Sequence, residues 1–328
     1  MSPSLRRRLL LGLLFGFIIM LVLFLASDIH QVSIRLAGFR WALIPLVLAG
    51  TLFNYSLRFL KWHYYLGLVG AASLGWRRSL KLFIAGFPLA VTPGKVGEAL
   101  KAVWLKQETG TPFSTGVTIV LAERISDGLA VLVLSLLGVI AYPRYWPAFV
   151  SVLAALLAIV VLSQVQPAAF WLINLIERLP GLIRFGQSLR QFYVSSRTLF
   201  RPLPTLAAVL LGSTAWFGEG LAMYLILLGL GVPAGVDTLA LAVFTLSFST
   251  IIGAVSALPG GLGAAELSIA GMLSFLLGLD GGTAGAATLL IRFATLWFGV
   301  GLGLVVWTRS GNWLLLETEP PTQVIQAG

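Results

Sequence analysis

Residues 93–98 read PGKVGE and residues 259–266 read PGGLGAAE, each inside a long apolar stretch. In both stretches a helix-breaking Pro-Gly precedes a glutamate, and an arginine follows that glutamate by 26 positions, Arg124 in the first half and Arg292 in the second. Broken helices and charged side chains are costly in lipid unless protein or a watery cavity surrounds them. Their recurrence in both halves indicates a membrane transport path.

The composition places the chain in a bilayer. Hydrophobic residues make up 58% of the 328 residues and charged residues only 10%, whereas a soluble domain carries about 25% charged residues. Uncharged runs such as 9–27, 41–57 and 145–176 approach or exceed the roughly 20 apolar residues that span a bilayer core. We therefore expect a multi-pass protein of the cell membrane without a separate soluble domain.

Charge and cysteine content exclude other classes. The absence of cysteine excludes disulfides, thiolate catalysis and cysteine metal sites. The net charge of +10 does not indicate a nucleic-acid partner, because the basic residues cluster at the ends of apolar segments, as in oriented membrane proteins. We expect no metal and no cofactor. The run 9–27 after three arginines is longer than a usual signal core, which favours a retained first helix over a signal peptide.

The hydropathy pattern predicts an all-α fold in which two apolar regions, 79–108 and 238–278, are each a re-entrant hairpin broken at Pro-Gly. The predicted spanning helices are 9–27, 41–60, 115–141, 146–165, 204–229 and 281–308. With the amino terminus inside, sixteen Lys and Arg residues fall on the cytoplasmic side and three fall outside. This bias predicts that both termini are cytoplasmic.

The same layout predicts an inverted repeat within one transmembrane domain. Its parts are a first helix and loop (1–40), repeat 1 (41–141), a connecting helix with a basic amphipathic segment (142–203), repeat 2 (204–310) and a cytoplasmic tail (311–328). An odd number of crossings separates the repeats, so the hairpin tips should meet near the midplane, where such transporters bind substrate. Simple kinks in spanning helices are the alternative.

The predicted tips supply backbone N–H groups that can hold an anion at the start of the second short helix. They consist of Pro93, Gly94, Gly97, Pro259, Gly260, Gly261 and Gly263. Lys95 stands at the first tip, where the second has Gly261. It therefore lacks a symmetric partner, which makes a ligand plausible; snorkelling to the cytoplasmic face is the alternative.

Charged residues at membrane depth form the candidate substrate site. They are Lys95, Glu98, Glu123, Arg124, Asp127, Glu219, Glu266 and Arg292. Each costs about 2.5–3.5 kcal/mol when it faces lipid, so these side chains should face inward and pair. We expect each arginine to lie near the hairpin glutamate of its own half. Arginine suits phosphate oxygens and the carboxylates suit protons or a cationic headgroup, but purely structural ion pairs are the alternative.

Several motifs resemble the transmembrane region of lysylphosphatidylglycerol synthases, a flippase-like domain that also occurs alone. They are residues 93–98 with Lys101, the ERISD of 123–127, residues 259–263 with Glu266, and Arg58 with Trp62. The resemblance covers roughly residues 40 to 310. It implies movement of a lipid with a charged headgroup between leaflets. Stand-alone relatives look linked to aminoacyl phospholipids, polyprenyl-phosphate sugar carriers or hopanoid lipids.

The resemblance does not imply aminoacyl transfer, because the soluble transfer domain that follows in those synthases has no counterpart before Gly328. The leading hypothesis is a lipid flippase or scramblase with no catalytic residues. Its expected partners are lipids with anionic or zwitterionic headgroups, a separate lipid-modifying enzyme and a second copy of the chain. An integral-membrane enzyme acting on a lipid phosphate and a transporter of a small anion are the alternatives. The two histidines lie far from any carboxylate pair in sequence, which disfavours the enzyme.

Overall fold

A computed structural model describes residues 29–141, 144, 146–177 and 186–310. Over these residues the chain is helical and contains no strand. The predicted first helix, 9–27, and the predicted tail, 311–328, lie outside the described residues. At 93–95 the backbone is described and the side-chain placement is not.

The helices follow one another with short connections. In chain order they are α1 (Ile29–Ala37), α2 (Ile44–Leu68), α3 (Trp76–Ala85), α4 (Leu100–Thr109), α5 (Phe113–Ala141), α6 (Trp146–Gln164), α7 (Gln166–Glu177), α8 (Gly186–Leu199), α9 (Pro202–Gly229), α10 (Val236–Val255), α11 (Ala264–Leu277), α12 (Gly281–Arg292) and α13 (Phe298–Arg309). A single π-helical turn at Phe293–Trp297 joins α12 to α13. Short 3-10 helices occupy both Pro-Gly segments, at Pro93–Ala99 and Pro259–Gly261.

Among the described residues, six segments are long and apolar enough to cross a membrane, which makes this an all-α, multi-pass membrane protein as predicted. They are Trp41–Leu68, Trp146–Gln164, Pro202–Gly229, Val236–Val255, Pro259–Leu277 and Gly281–Arg309. Four of them overlap predicted spans. The predicted span 115–141 corresponds to α5, whose 29 residues extend about 44 Å. The predicted end of 41–60 is wrong, because the helix continues to Leu68.

The two Pro-Gly regions differ in length. In the first, α3 and α4 have ten residues each, or about 15 Å, which is about half of a bilayer core. In the second, α10 has 20 residues and α11 has 14, and both Val236–Val255 and Pro259–Leu277 are long enough to span. Both regions are broken at Pro-Gly. Re-entrance and the inverted repeat stay predictions.

Helix α9 occupies the centre and packs against α2, α5, α10 and α12. Glycines bring α9 close to α2. A Cβ added to Gly50 would lie 2.8 Å from the carbonyl oxygen of Gly218 and 3.3 Å from the Cβ of Ala222. The backbones of these two helices therefore approach each other more closely than side chains on both would allow.

We expect the substitution Gly50→Ala to lower the free energy of unfolding by about 1–3 kcal/mol, because the new methyl group must push α2 and α9 apart. Thermal unfolding in detergent would measure the change. Gly67→Ala is the matched control on the same helix, since nothing lies within 4 Å of its added Cβ. The free energy of unfolding of that variant should rise by about 0.5–1 kcal/mol, because alanine has a higher helix propensity than glycine. Equal effects at the two positions would contradict the close approach.

Three ion pairs of the described residues connect helices outside the spans: Arg35–Asp280, Arg78–Glu108 and Arg190–Glu177. Arg190 of α8 donates to both oxygens of Glu177 on α7, at 2.9 and 2.7 Å, and these hydrogen bonds lower the pKa of Glu177. Asp280 caps α12 by accepting from the backbone and hydroxyl of Thr283, which lowers the pKa of Asp280. It also pairs with Arg35 of α1 at 3.1 Å. These contacts tie the short surface helices to the bundle.

Candidate functional site

A cavity of about 160 Å³ lies between α2, α5, α9, α12 and both Pro-Gly segments. The polar groups that line it are Tyr55, Arg58, Glu98, Lys101, Arg124, Trp216, Glu219, Thr250, Arg292 and Thr295, together with the backbone at Gly260 and Gly261. The two 3-10 helices of the Pro-Gly segments pack against each other beside it. The predicted meeting of the two tips is therefore present in the fold.

The second tip depends on glycine. Gly260, Gly261 and Gly263 have φ values of 62°, 67° and 86°, which L side chains rarely adopt. A Cβ added to Gly261 would also lie 3.0 Å from the Cα of Gly253 on α10. This stretch therefore turns sharply, and α11 begins immediately after it.

Arg292 and Glu266 hold this tip in place. The Glu266 carboxylate accepts from the backbone N–H of Gly263 at 2.6 Å and from Nε of Arg292 at 2.5 Å. Arg292 also donates to the carbonyl oxygen of Gly260 at 3.1 Å. Glu266 is fully buried and does not line the cavity, whereas Arg292 does. Its contacts make Glu266 a residue that positions the tip and the arginine.

The first tip is stabilised by a threonine. The backbone N–H of Gly97 donates to Oγ1 of Thr92 at 2.9 Å, and a Cβ on Gly97 would meet the same side chain. Glu98 follows and lies 3.1 Å from Nε of Arg124 on α5. The side chains of Pro93 and Lys95 lie outside the described part of the chain, whereas the backbone of Gly94 lies in the 3-10 helix. The predicted role of Lys95 therefore stays a prediction.

Both predicted arginine–glutamate pairs occur in the structure. Arg124 lies beside Glu98 and Arg292 beside Glu266, so each arginine contacts the Pro-Gly region of its own half. The pairing follows from the cost of burying a charge without a partner, which neither lipid nor apolar protein can offset.

Two further acids pair with bases that sequence analysis placed in the cytoplasm. Asp127 lies 2.5 Å from Lys61 and 3.3 Å from Arg58. Glu123 lies 2.6 Å from Lys101, whose ammonium group stands 3.9 Å from the Trp62 ring centre. Lys61 is fully buried and Lys101 is 4% exposed.

Arg58, Lys61 and Lys101, three of the sixteen basic residues counted on the cytoplasmic side, are therefore buried in ion pairs, and the side of the membrane on which they lie stays a prediction. Because α2 continues to Leu68, Lys61 lies inside the helix and shares one face with Arg58, three residues before it. The aromatic residues Trp62, Tyr64 and Tyr65 after Lys61 were the signal that the helix continues.

Two of the arginines retain hydrogen-bonding capacity. The Nε atoms of Arg58 and Arg124 are buried and find no acceptor among the described residues, since their ion pairs lack hydrogen-bond geometry. Arg58 also lies over the Trp216 ring at 5.6 Å. Arg124 has the most exposed of these side chains, at 30%. Both side chains line the cavity, so a ligand there would lie beside two arginines whose hydrogen bonding is incomplete.

Glu219 differs from the other acids of the site. It lies on α9, is 4% exposed and lines the cavity. Within the described part of the chain it makes no ion pair and no hydrogen bond. Among the same residues, no group of three or more His, Asp or Glu is placed to hold a metal ion.

Comparison with known proteins identifies the family of the chain. The family described as the lysylphosphatidylglycerol synthase TM region matches residues 9–303, which include every residue of the cavity. A UPF0104 membrane protein of Methanothermobacter thermautotrophicus is 26% identical over 295 residues, covering 81% of this chain and 82% of that protein. No solved structure matches the chain. The chain belongs to the family of the lysylphosphatidylglycerol synthase TM region, a family of membrane proteins linked to lipid handling.

Proposed function

We propose that the protein is a flippase or scramblase that moves a phosphate-containing lipid between the leaflets. The headgroup enters the cavity, and the acyl or polyprenyl tails stay in the bilayer. One observation carries the proposal: four basic side chains, Arg58, Lys101, Arg124 and Arg292, line one buried cavity. Two of them have buried N–H donors without an acceptor. Guanidinium groups match phosphate oxygens in geometry as well as in charge.

The polarity of the cavity supports a headgroup rather than a whole lipid. The cavity has a volume of about 160 Å³ and is lined by charged and polar side chains. A hydrocarbon chain placed against these groups would desolvate them, which is costly. In this proposal the tails therefore remain outside while the headgroup is inside.

Apolar residues beside the two tips support a lipid over a small soluble anion. Val96 in the first Pro-Gly segment is 74% exposed, and Val255 and Leu258 before the second are 72% and 39% exposed. Exposed apolar side chains on a membrane protein face acyl chains. A lipid whose headgroup occupies the cavity could keep its tails against these residues.

The further parts of the proposal rest on sequence patterns. The protein acts as a transporter and not as an enzyme, in the cell membrane, with both termini in the cytoplasm. Its partners are lipids with anionic or zwitterionic headgroups, a separate lipid-modifying enzyme and a second copy of the chain. Glycines on α13 such as Gly301, which has open space around it, support close packing with another helix.

Transbilayer movement in vesicles tests the proposal. The purified protein is reconstituted into phosphatidylcholine vesicles that contain a trace of phosphatidylglycerol with a fluorophore on one chain. Dithionite added outside should bleach nearly all the fluorescence, against about half in protein-free vesicles. Folded protein that moves neither phosphatidylglycerol, its aminoacyl derivative nor a polyprenyl phosphate would overturn the proposal. Product formation that chelation abolishes would favour the enzyme alternative.

A further inference from the structure

The described acidic and basic residues around the cavity are equal in number, but one of them has no partner. Within the described part of the chain, the site contains five basic residues (Arg58, Lys61, Lys101, Arg124 and Arg292) and five acidic ones (Glu98, Glu123, Asp127, Glu219 and Glu266). Five ion pairs join nine of them, because Asp127 contacts both Arg58 and Lys61. The tenth is Glu219.

Glu219 faces the cavity from the central helix, and charged groups surround it from several elements. Helix α2 contributes Tyr55 and Arg58, and Asp127 of α5 lies behind Arg58. Helix α5 also contributes Arg124, and α12 contributes Arg292. Glu98 and Lys101 line the cavity from the first Pro-Gly region. Helix α10 contributes only uncharged side chains there, among them Leu246 and Thr250. Glu219 is thus an acid 96% removed from solvent, lining a cavity rich in bases and holding none of them as a partner.

The net charge of the site depends on whether Glu219 carries a proton. When Glu219 is ionised, the ten described side chains sum to zero, and an entering anion adds a negative charge that no spare base among them compensates. Such a charge is costly in an interior of low dielectric constant. When Glu219 is protonated, the site has a charge of +1. One monoanion then brings it back to neutrality.

We propose that Glu219 binds one proton for each monoanionic phosphate group that enters the cavity. The proton adds to a carboxylate oxygen of Glu219, the anion pairs with the arginines, and both leave when the headgroup departs. No other bond forms or breaks. This inference rests on the proposed function, and it makes the ligand a phosphodiester with a single negative charge, whose uptake is electroneutral.

Binding measured as a function of pH tests the inference. The probe is short-chain phosphatidylglycerol, because its phosphodiester keeps one negative charge from pH 5 to pH 9. If one proton accompanies each anion, Kd rises about tenfold per pH unit on the alkaline side, as proton linkage requires. Calorimetry in two buffers with different ionisation enthalpies should then report the uptake of one proton per lipid. Binding with no proton uptake and no pH dependence overturns the inference.

Two variants locate the proton. Glu219→Gln keeps the residue neutral at every pH, so Kd should stay at the low-pH value of the wild type across the range. Glu177→Gln is the matched control, because Glu177 is an acid on a surface helix outside the cavity; it should keep the wild-type slope. An unchanged slope in Glu219→Gln overturns the inference by showing that another group takes the proton. If that variant fails to fold, the number of protons that the wild-type protein takes up per bound lipid still tests the inference.

The outcomes separate this inference from the proposed function. If the wild-type protein moves phosphatidylglycerol without proton uptake, the proposed function stands and the inference about Glu219 is overturned. If it neither binds nor moves phosphatidylglycerol at any pH, the proposed function itself is overturned. Tailless glycerophosphoglycerol distinguishes the two sources of the anion: weaker binding than the lipid supports a lipid ligand, and equal binding overturns it in favour of a soluble anion.

Discussion

The substitution Arg124→Ala should slow phosphatidylglycerol movement roughly 10- to 150-fold. A hydrogen bond to a charged group contributes about 1.5–3 kcal/mol, which corresponds to that range of rates. Arg124 is the most exposed arginine of the cavity, and its buried Nε finds no acceptor among the described residues. Arg124 lines the cavity, so its guanidinium group is placed to meet the phosphate. The dithionite assay in vesicles measures the rate, normalised to folded protein.

Three further variants show whether the slower transport comes from the loss of the Arg124 guanidinium group. Leu137→Ala is the control on the same helix, because Leu137 is 50% exposed and does not line the cavity; its rate should equal that of the wild type. Arg124→Lys keeps the charge and loses the planar fork, so its rate should fall between the two. Arg292→Ala should also impair transport and should lower stability more, since Arg292 holds Gly260 and Glu266. An Arg124→Ala protein that transports at the wild-type rate would exclude this cavity as the route.

The paired arginines could be predicted because the reason for them is general. A charged side chain inside an apolar stretch needs a partner. The repeated spacing of 26 residues offers Glu98 to Arg124 and Glu266 to Arg292. The Pro-Gly sequences likewise predicted the breaks at 93–98 and 259–263. The parts of the site that could be predicted are therefore those in which the spacing of the residues and the cost of a charge in lipid favour the same pairing.

The partners of the two lysines were not predicted. Basic residues at the end of an apolar segment usually mark the cytoplasmic side, and that rule does not give Lys61 or Lys101 a partner. Helix α2 continues past Lys61 to Leu68, and both lysines are buried, Lys61 against Asp127 and Lys101 against Glu123. Local pattern cannot reveal this, because the partners lie 66 and 22 residues away.

The path of the second Pro-Gly region could not be predicted from the sequence, although its length was. A Pro-Gly ends a helix, but it does not determine whether the chain then turns back or continues across the membrane. Helices α3 and α4 have ten residues each, while α10 has 20. Tertiary packing around Gly253 and Gly261, whose backbones are in contact, determines the path of the second region.

The substitution Lys101→Met should cost about 3–5 kcal/mol of the free energy of unfolding, as breaking a buried ion pair does when one charge is left behind. The charge left behind is Glu123, which is 1% exposed. One of its oxygens accepts from Lys101 at 2.6 Å, and the other, Oε1, has no hydrogen-bond partner among the described residues. Removing the ammonium group also loses its contact with the Trp62 ring. Equilibrium unfolding in mixed detergent micelles measures the change.

A second substitution separates this cause from a loss of packing. In Lys101→Met/Glu123→Leu both charges are gone, and most of the lost stability should return, because replacing a buried pair by apolar residues is often neutral. Lys106→Met on the same helix is the control: Lys106 is exposed, so the change should stay within about 0.5 kcal/mol. A double variant as unstable as Lys101→Met would mean that Glu123 is not the source of the cost. The lost stability would then come from the packing of the Lys101 side chain against Trp62. The assumption that each buried charge around the cavity needs a partner would lose its support.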